Sequence, residues 1–138
     1  MANAKYDNLV PMLANGRLNW PADKIQAFLV KSAVFDKTDQ RLSDMSGTIE
    51  TMQPMSERVV DPVTGSFLGY PTSFDLVPAN TTFAVILAKE DGSQNPWLLS
   101  FYDRDEANAV LRITTAGTLT VRPAGSDPST PGVWVKFA

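Results

Sequence analysis

The side chains in this sequence that could do chemistry are almost all carboxylates. With no cysteine and no histidine among 138 residues, a thiolate nucleophile, a Ser-His-Asp relay and the usual zinc ligand sets are excluded at once. Aspartate, glutamate and lysine remain. The tightest group is Asp103, Asp105 and Glu106, directly after the apolar run Leu98-Leu99-Ser100-Phe101-Tyr102. Carboxylates this close could serve as an acid and base pair, or offer their oxygens to calcium. The plainer alternative is a solvated acidic turn interrupted by Arg104. A second set, Asp36, Asp39 and Asp44, falls short of an EF-hand. Counted from Asp36, the sixth position is Arg41 instead of glycine and the twelfth is Gly47 instead of glutamate. The eight glycines are dispersed and none opens a helix, so no phosphate-cradling loop is present. The chain reads as non-enzymatic, with no cofactor and no metal.

Aromatic and methionine side chains offer a different chemistry, that of binding by contact. Trp97, Tyr102 and Trp134 could line a sugar-binding cleft, or they could be core and rim residues of a sheet. Trp20 stands in a turn before Pro21, where a large ring needs either a slot beneath the sheet or a partner's pocket. Tyr6, Leu9, Met12 and Leu13 precede the first confident strand. They would present an apolar face to a neighbour unless their segment folds back as a cap. Met45, Met52 and Met55 form a series of adaptable side chains suited to a contact surface or to filling core gaps. Val133, Val135 and Phe137 lie in a terminal apolar stretch after a loose linker, the pattern of an edge strand that a neighbour's backbone could complete.

The elements that must position these residues are mostly strands. Tyr6, Leu9, Val10 and Leu13 fall on one helical face, with Pro11 inside the pattern and Asn15-Gly16 to stop it. Lys24 to Val30 reads as a buried strand, with Ile25, Ala27 and Leu29 on one side and Phe28 and Val30 on the other. Phe35 to Met45 is a polar loop with a short helix. Thr48 to Met52 and Glu57 to Val60 are further candidate strands in a stretch broken by Pro54, Pro62, Gly65 and Gly69. Downstream the expected strands are Ser73 to Val77, Thr82 to Lys89, Trp97 to Asp103, Val110 to Thr114, Thr118 to Arg122 and Val133 to Phe137. Asp91-Gly92 lies in the hairpin connection between the second and third of these. Strands at such even spacing predict an all-β, mainly antiparallel fold, a β-sandwich or small barrel with a short N-terminal helix or arm. Residues 1–20 are expected to form the arm and 21–138 a single β domain.

Composition narrows the partners. A net charge of −3, with the twelve basic residues scattered, argues against nucleic acid. No window of about 20 apolar residues suggests a membrane span, and the first residues lack the pattern of a signal peptide. The absence of cysteine suits a reducing cytosol.

The serial order of short stretches resembles a known group. Leu13-Ala14-Asn15-Gly16 is followed by Leu18-Asn19-Trp20, Asp23-Lys24-Ile25, Ala27-Phe28-Leu29-Val30 and Leu42-Ser43-Asp44. Ala88-Lys89-Glu90-Asp91-Gly92, Leu98 to Asp103, Gly117 and Trp134-Val135-Lys136-Phe137 complete it. Over about Tyr6 to Phe137, apart from Thr48 to Tyr70, this is similar to small structural proteins encoded in the head gene blocks of tailed bacteriophages. The resemblance implies a virion component, a capsid decoration or cement protein made in the host bacterial cytoplasm and mounted on the outer capsid surface. Its implied partners are the major capsid protein and neighbouring copies of itself, as a dimer or trimer; the expected contact residues, read from their own positions in the sequence, are Tyr6, Leu9, Met12, Leu13, Trp20, Met52, Met55, Val133, Val135 and Phe137. A tail, connector or head-fibre component and a carbohydrate-binding module are the alternatives.

Overall fold

A computed structural model describes residues 3–105 and 107–137. The chain runs β1 (Asn3–Lys5), α1 (Leu9–Ala14), β2 (Ile25–Val34), a 3-10 turn (Leu42–Asp44), β3 (Ser46–Pro54), β4 (Arg58–Val60), β5 (Phe67–Gly69), β6 (Thr72–Val77), β7 (Phe83–Lys89), β8 (Trp97–Tyr102), β9 (Gly117–Val121) and β10 (Gly132–Val135). A five-stranded antiparallel sheet in the order β1-β8-β7-β2-β3 forms one layer. A three-stranded sheet, β10-β5-β4, and the pair β6-β9 lie against it. The fold is all-β and sandwich-like, as expected from the spacing of the strands. Among the described residues, no helix is long and apolar enough to cross a membrane.

The two faces of the large sheet follow directly from strand alternation. Ile25, Ala27 and Leu29 of β2, with Val85 and Leu87 of β7, turn into the core between the layers. There they meet Phe67, Phe74, Val77, Leu119, Val121 and Val135 of the smaller sheets. Phe28 and Val30, with Ala84, Ile86 and Ala88, turn the other way. That outer face is also apolar because Tyr6 joins it and Phe35, Leu42 and Met45 of the 35–45 loop pack over it. Both faces of β7 are therefore covered, which is why Phe83 to Ala88 is one unbroken apolar run and not an alternating one. Burying each large apolar side chain contributes about 1.5–3 kcal/mol, which suits a chain without disulfides.

The N-terminal segment is part of this body and does not form a separate arm. β1 pairs with β8, and Tyr6 N–H bonds the Leu99 carbonyl at 3.0 Å. α1 is only six residues long. Pro11 sits in its first turn, where an N–H would lack an intrahelical partner anyway, so the ring ends nothing. Leu9 and Met12 are the buried positions, while Val10 faces solvent. The chain leaves the helix through Gly16, whose φ of +67° is a left-handed conformation that glycine adopts freely. The expected strand Val110 to Thr114 does not form. Val110 and Leu111 make only single bridges, to Arg104 and Phe83, and the segment is held by the Phe83 and Asn80 N–H groups on the Leu111 and Ile113 carbonyls at 3.0 and 2.8 Å. Strands β1 and β5, three residues each, are too short to carry a period in the sequence.

Candidate contact surface

The acidic residues that seemed most able to do chemistry build turns. Asp105 Oδ1 accepts the N–H groups of Ala107 and Ala109 at 2.9 and 2.8 Å. Asp36 holds Thr38, Asp61 holds Val63 and Thr64, and Asp127 holds Ser129 in the same manner. Asp44 Oδ2 accepts from the N–H groups of Gln40 and Arg41. These bonds favour the charged carboxylate and hold Asp36, Asp61 and Asp127 below the ordinary value. Asp39 has no such donor; its burial, then the nearby charges of Asp36 and Asp44, push it up. Glu106 lies outside the described residues, and among those residues no group of three or more acidic side chains is placed to hold a metal ion.

The ring residues are similarly occupied. Tyr102 and Trp134 are buried and meet edge to face at 5.5 Å. Trp97 carries the Arg41 guanidinium 3.4 Å from its ring centre and that of Arg17 at 5.4 Å. Arg41 in turn is held by Asp91 at 2.9 Å and by the Asn95 carbonyl. The Ser93 hydroxyl and backbone N–H, and then Arg41, hold Asp91 far below the ordinary carboxylate range. This clamp ties the 35–45 loop to the β7–β8 connection. None of the three rings is an open platform for a sugar.

Most residues expected at a partner interface belong to the protein's own core. Tyr6, Leu9, Met12, Trp20, Met55 and Val135 are all buried, and Leu13 and Phe137 pack partly against them. Trp20 fills a slot beneath β5: it is 1% exposed, stacks on Phe67 at 4.9 Å and donates its indole N–H to the Leu68 carbonyl at 2.9 Å. Desolvation raises the Tyr6 phenol, with the charges of Asp39 and Asp36 adding to it. The terminal strand β10 is not a free edge at its start. Val133 N–H donates to the Ala124 carbonyl at 2.9 Å, so the preceding linker already covers it. Of the expected set only Met52 is exposed, with Val133 half-buried.

What is exposed lies on the other side of β2. Strand β3 is nine residues long, stands at the edge of the large sheet and is exposed along most of its length. Met52 pairs with Phe28 and Ile49 with Val30, the register slipping by one between them so that Glu50 is extra. That bulge puts two apolar side chains three residues apart on the same face. Val34, opposite Ser46, extends the exposed apolar surface. β6 runs close to β3 and carries the least expected residue in the fold. Leu76 is 92% exposed and has φ +58°, inside a register shift between Phe74 and Val77. Left-handed backbone at a leucine costs on the order of 1–2 kcal/mol, and its side chain contributes no core burial in return. Sequence reasoning missed Leu76 because Phe74-Asp75-Leu76-Val77 scans as ordinary strand; only the dihedral and the exposure reveal it. Val63, at the tip of the β4–β5 connection, is likewise 89% exposed.

No family model, curated protein or solved structure matches this chain.

Proposed function

We propose that this protein is a structural component of a tailed-phage particle, a capsid decoration or cement protein. It acts by contact alone, binding neighbouring major capsid subunits on the outer shell. The observation that carries the reading is Leu76, a solvated leucine held in a strained backbone that the fold itself does not need. Partner contact gives such a residue a use, since an apolar anchor set on a rigid sheet loses little entropy when it is covered. Ile49 and Met52 on the exposed β3 edge supply a second apolar surface. Its unpaired backbone edge can take a strand from a capsid subunit or from a neighbouring copy. Carboxylates committed to turns, in a chain without cysteine or histidine, suit a contact role better than a catalytic one. The serial likeness to phage head-gene products supplies the identity of the partner.

The test uses purified particles. Quantitative mass spectrometry should find this chain at a fixed, high ratio to the major capsid subunit. Leu76→Asp should abolish its addition to stripped shells while its own thermal unfolding stays unchanged. Absence from finished particles, or unimpaired addition of the aspartate variant, overturns the reading.

A further inference from the structure

A cleft of about 540 Å³ opens between the two layers, within the span of roughly 300–1,000 Å³ common to small-molecule sites. Its deep part is formed by Ser66, Ser100, Tyr102, Trp134 and Val135, all buried. Ser100 explains why the space is there. It stands on β8 opposite Leu87, on the face that packs into the core, and is 1% exposed. A serine at this position leaves unfilled a volume that close packing would normally take up, and the small Ala4 borders the same space. Ser100 Oγ–H donates to the Tyr102 hydroxyl at 3.3 Å. Burial pushes the Tyr102 phenol far above its ordinary value, so it stays a neutral donor.

The lip of the cleft is charged. Lys5 and Lys136 are exposed, one on β1 and one just beyond β10, and neither has an ion pair among the described residues. Lys5 Nζ lies 5.8 Å from the Phe137 ring centre. Asp61, also at the lip, has its Oδ1 engaged by Val63 and Thr64 N–H groups of its own turn. The result is a largely apolar throat with two ammonium groups at its mouth that have no ion-pair partner among the described residues. We propose that the cleft binds a small aliphatic carboxylate, its chain lying against Trp134 and Val135 and its head group between Lys5 and Lys136. This site lies apart from the β3 and Leu76 surface and does not depend on the capsid reading.

Isothermal titration of the full chain with decanoate, against decyltrimethylammonium as a cation of equal chain length, tests it. Decanoate should bind saturably at one site, about tenfold or more tighter than the cation, as expected for two partly screened charge contacts. Lys5→Gln with Lys136→Gln should erase that preference. Ala124→Trp, at the exposed mouth, should weaken both ligands without lowering thermal stability. Absence of saturable decanoate binding below micelle formation, equal affinity for the two amphiphiles, or indifference to Ala124→Trp overturns the proposal.

Discussion

Replacing Trp20 by phenylalanine distinguishes a ring that holds the fold from a ring that waits for a partner. The indole is 1% exposed, stacked on Phe67 with an interplanar angle of 10°, and bonded to the Leu68 carbonyl. Phenylalanine keeps the stack and much of the volume. It loses the N–H donor, at about 1 kcal/mol for a net hydrogen bond with its acceptor left part-buried. The vacated pyrrole space adds about 1–2 kcal/mol in lost contacts and cavity. The total is about 2–3 kcal/mol, a large share of the roughly 5–15 kcal/mol of a typical domain. Urea unfolding followed by near-ultraviolet circular dichroism should show a lower midpoint with unchanged slope, and the melting temperature should fall by roughly 4–12 °C. Trp20→Ala should cost about 3–5 kcal/mol on the same scale. A change below about 0.5 kcal/mol, the size of an ordinary surface substitution, would refute the slot and restore Trp20 as a partner anchor.

Further outcomes follow from other contacts. Arg58 donates to the carbonyls of Trp20, Asp23, Met55 and Ser56, a fork that lysine cannot reproduce. Arg58→Lys should therefore cost about 1–3 kcal/mol in the same urea assay. A Cβ on Gly132 would meet the Ala124 carbonyl oxygen at 2.5 Å, the Ser126 nitrogen at 2.7 Å and the Pro123 carbonyl oxygen at 2.8 Å. All three are backbone atoms, so Gly132→Ala should cost about 1–3 kcal/mol and speed amide exchange at Val133. Acid should destabilise the fold through its turns. Asp36, Asp61, Asp91 and Asp127 have folded values below the ordinary 3.8. Their contribution is therefore complete above that value and is lost as pH falls through the lower, folded ones. Asp39, shifted the other way, opposes this slightly. Melting temperature should stay flat between about pH 5 and 8, because no histidine titrates there, then drop below about pH 4. Asp61→Asn should blunt that drop.

Local sequence determined the strands and which way their side chains alternate. Ile25, Ala27 and Leu29 against Phe28 and Val30 is a period-two pattern that any sheet would divide between two faces, and the structure divides it so. The β7–β8 hairpin, the 3-10 turn within the 35–45 loop and the half-exposed β9 were legible for the same reason: each depends on neighbours a few residues apart. The absence of cysteine and histidine likewise settled at once which chemistries are closed. Tertiary structure alone decided what each side chain meets. Tyr6, Leu9, Met12 and Trp20 form an apolar set whether they cap their own sheet or a neighbour's, and only the pairing of β1 with β8 selects the first. The Asp105 carboxylate could bind a metal or a backbone N–H, and the path of the chain through Ala107 and Ala109 selects the backbone. Leu76 and the cleft over Ser100 are further still from sequence, since each arises where one strand's register meets another's. Periodicity is written within a segment, whereas burial, strain and cavities belong to contacts between segments distant along the chain.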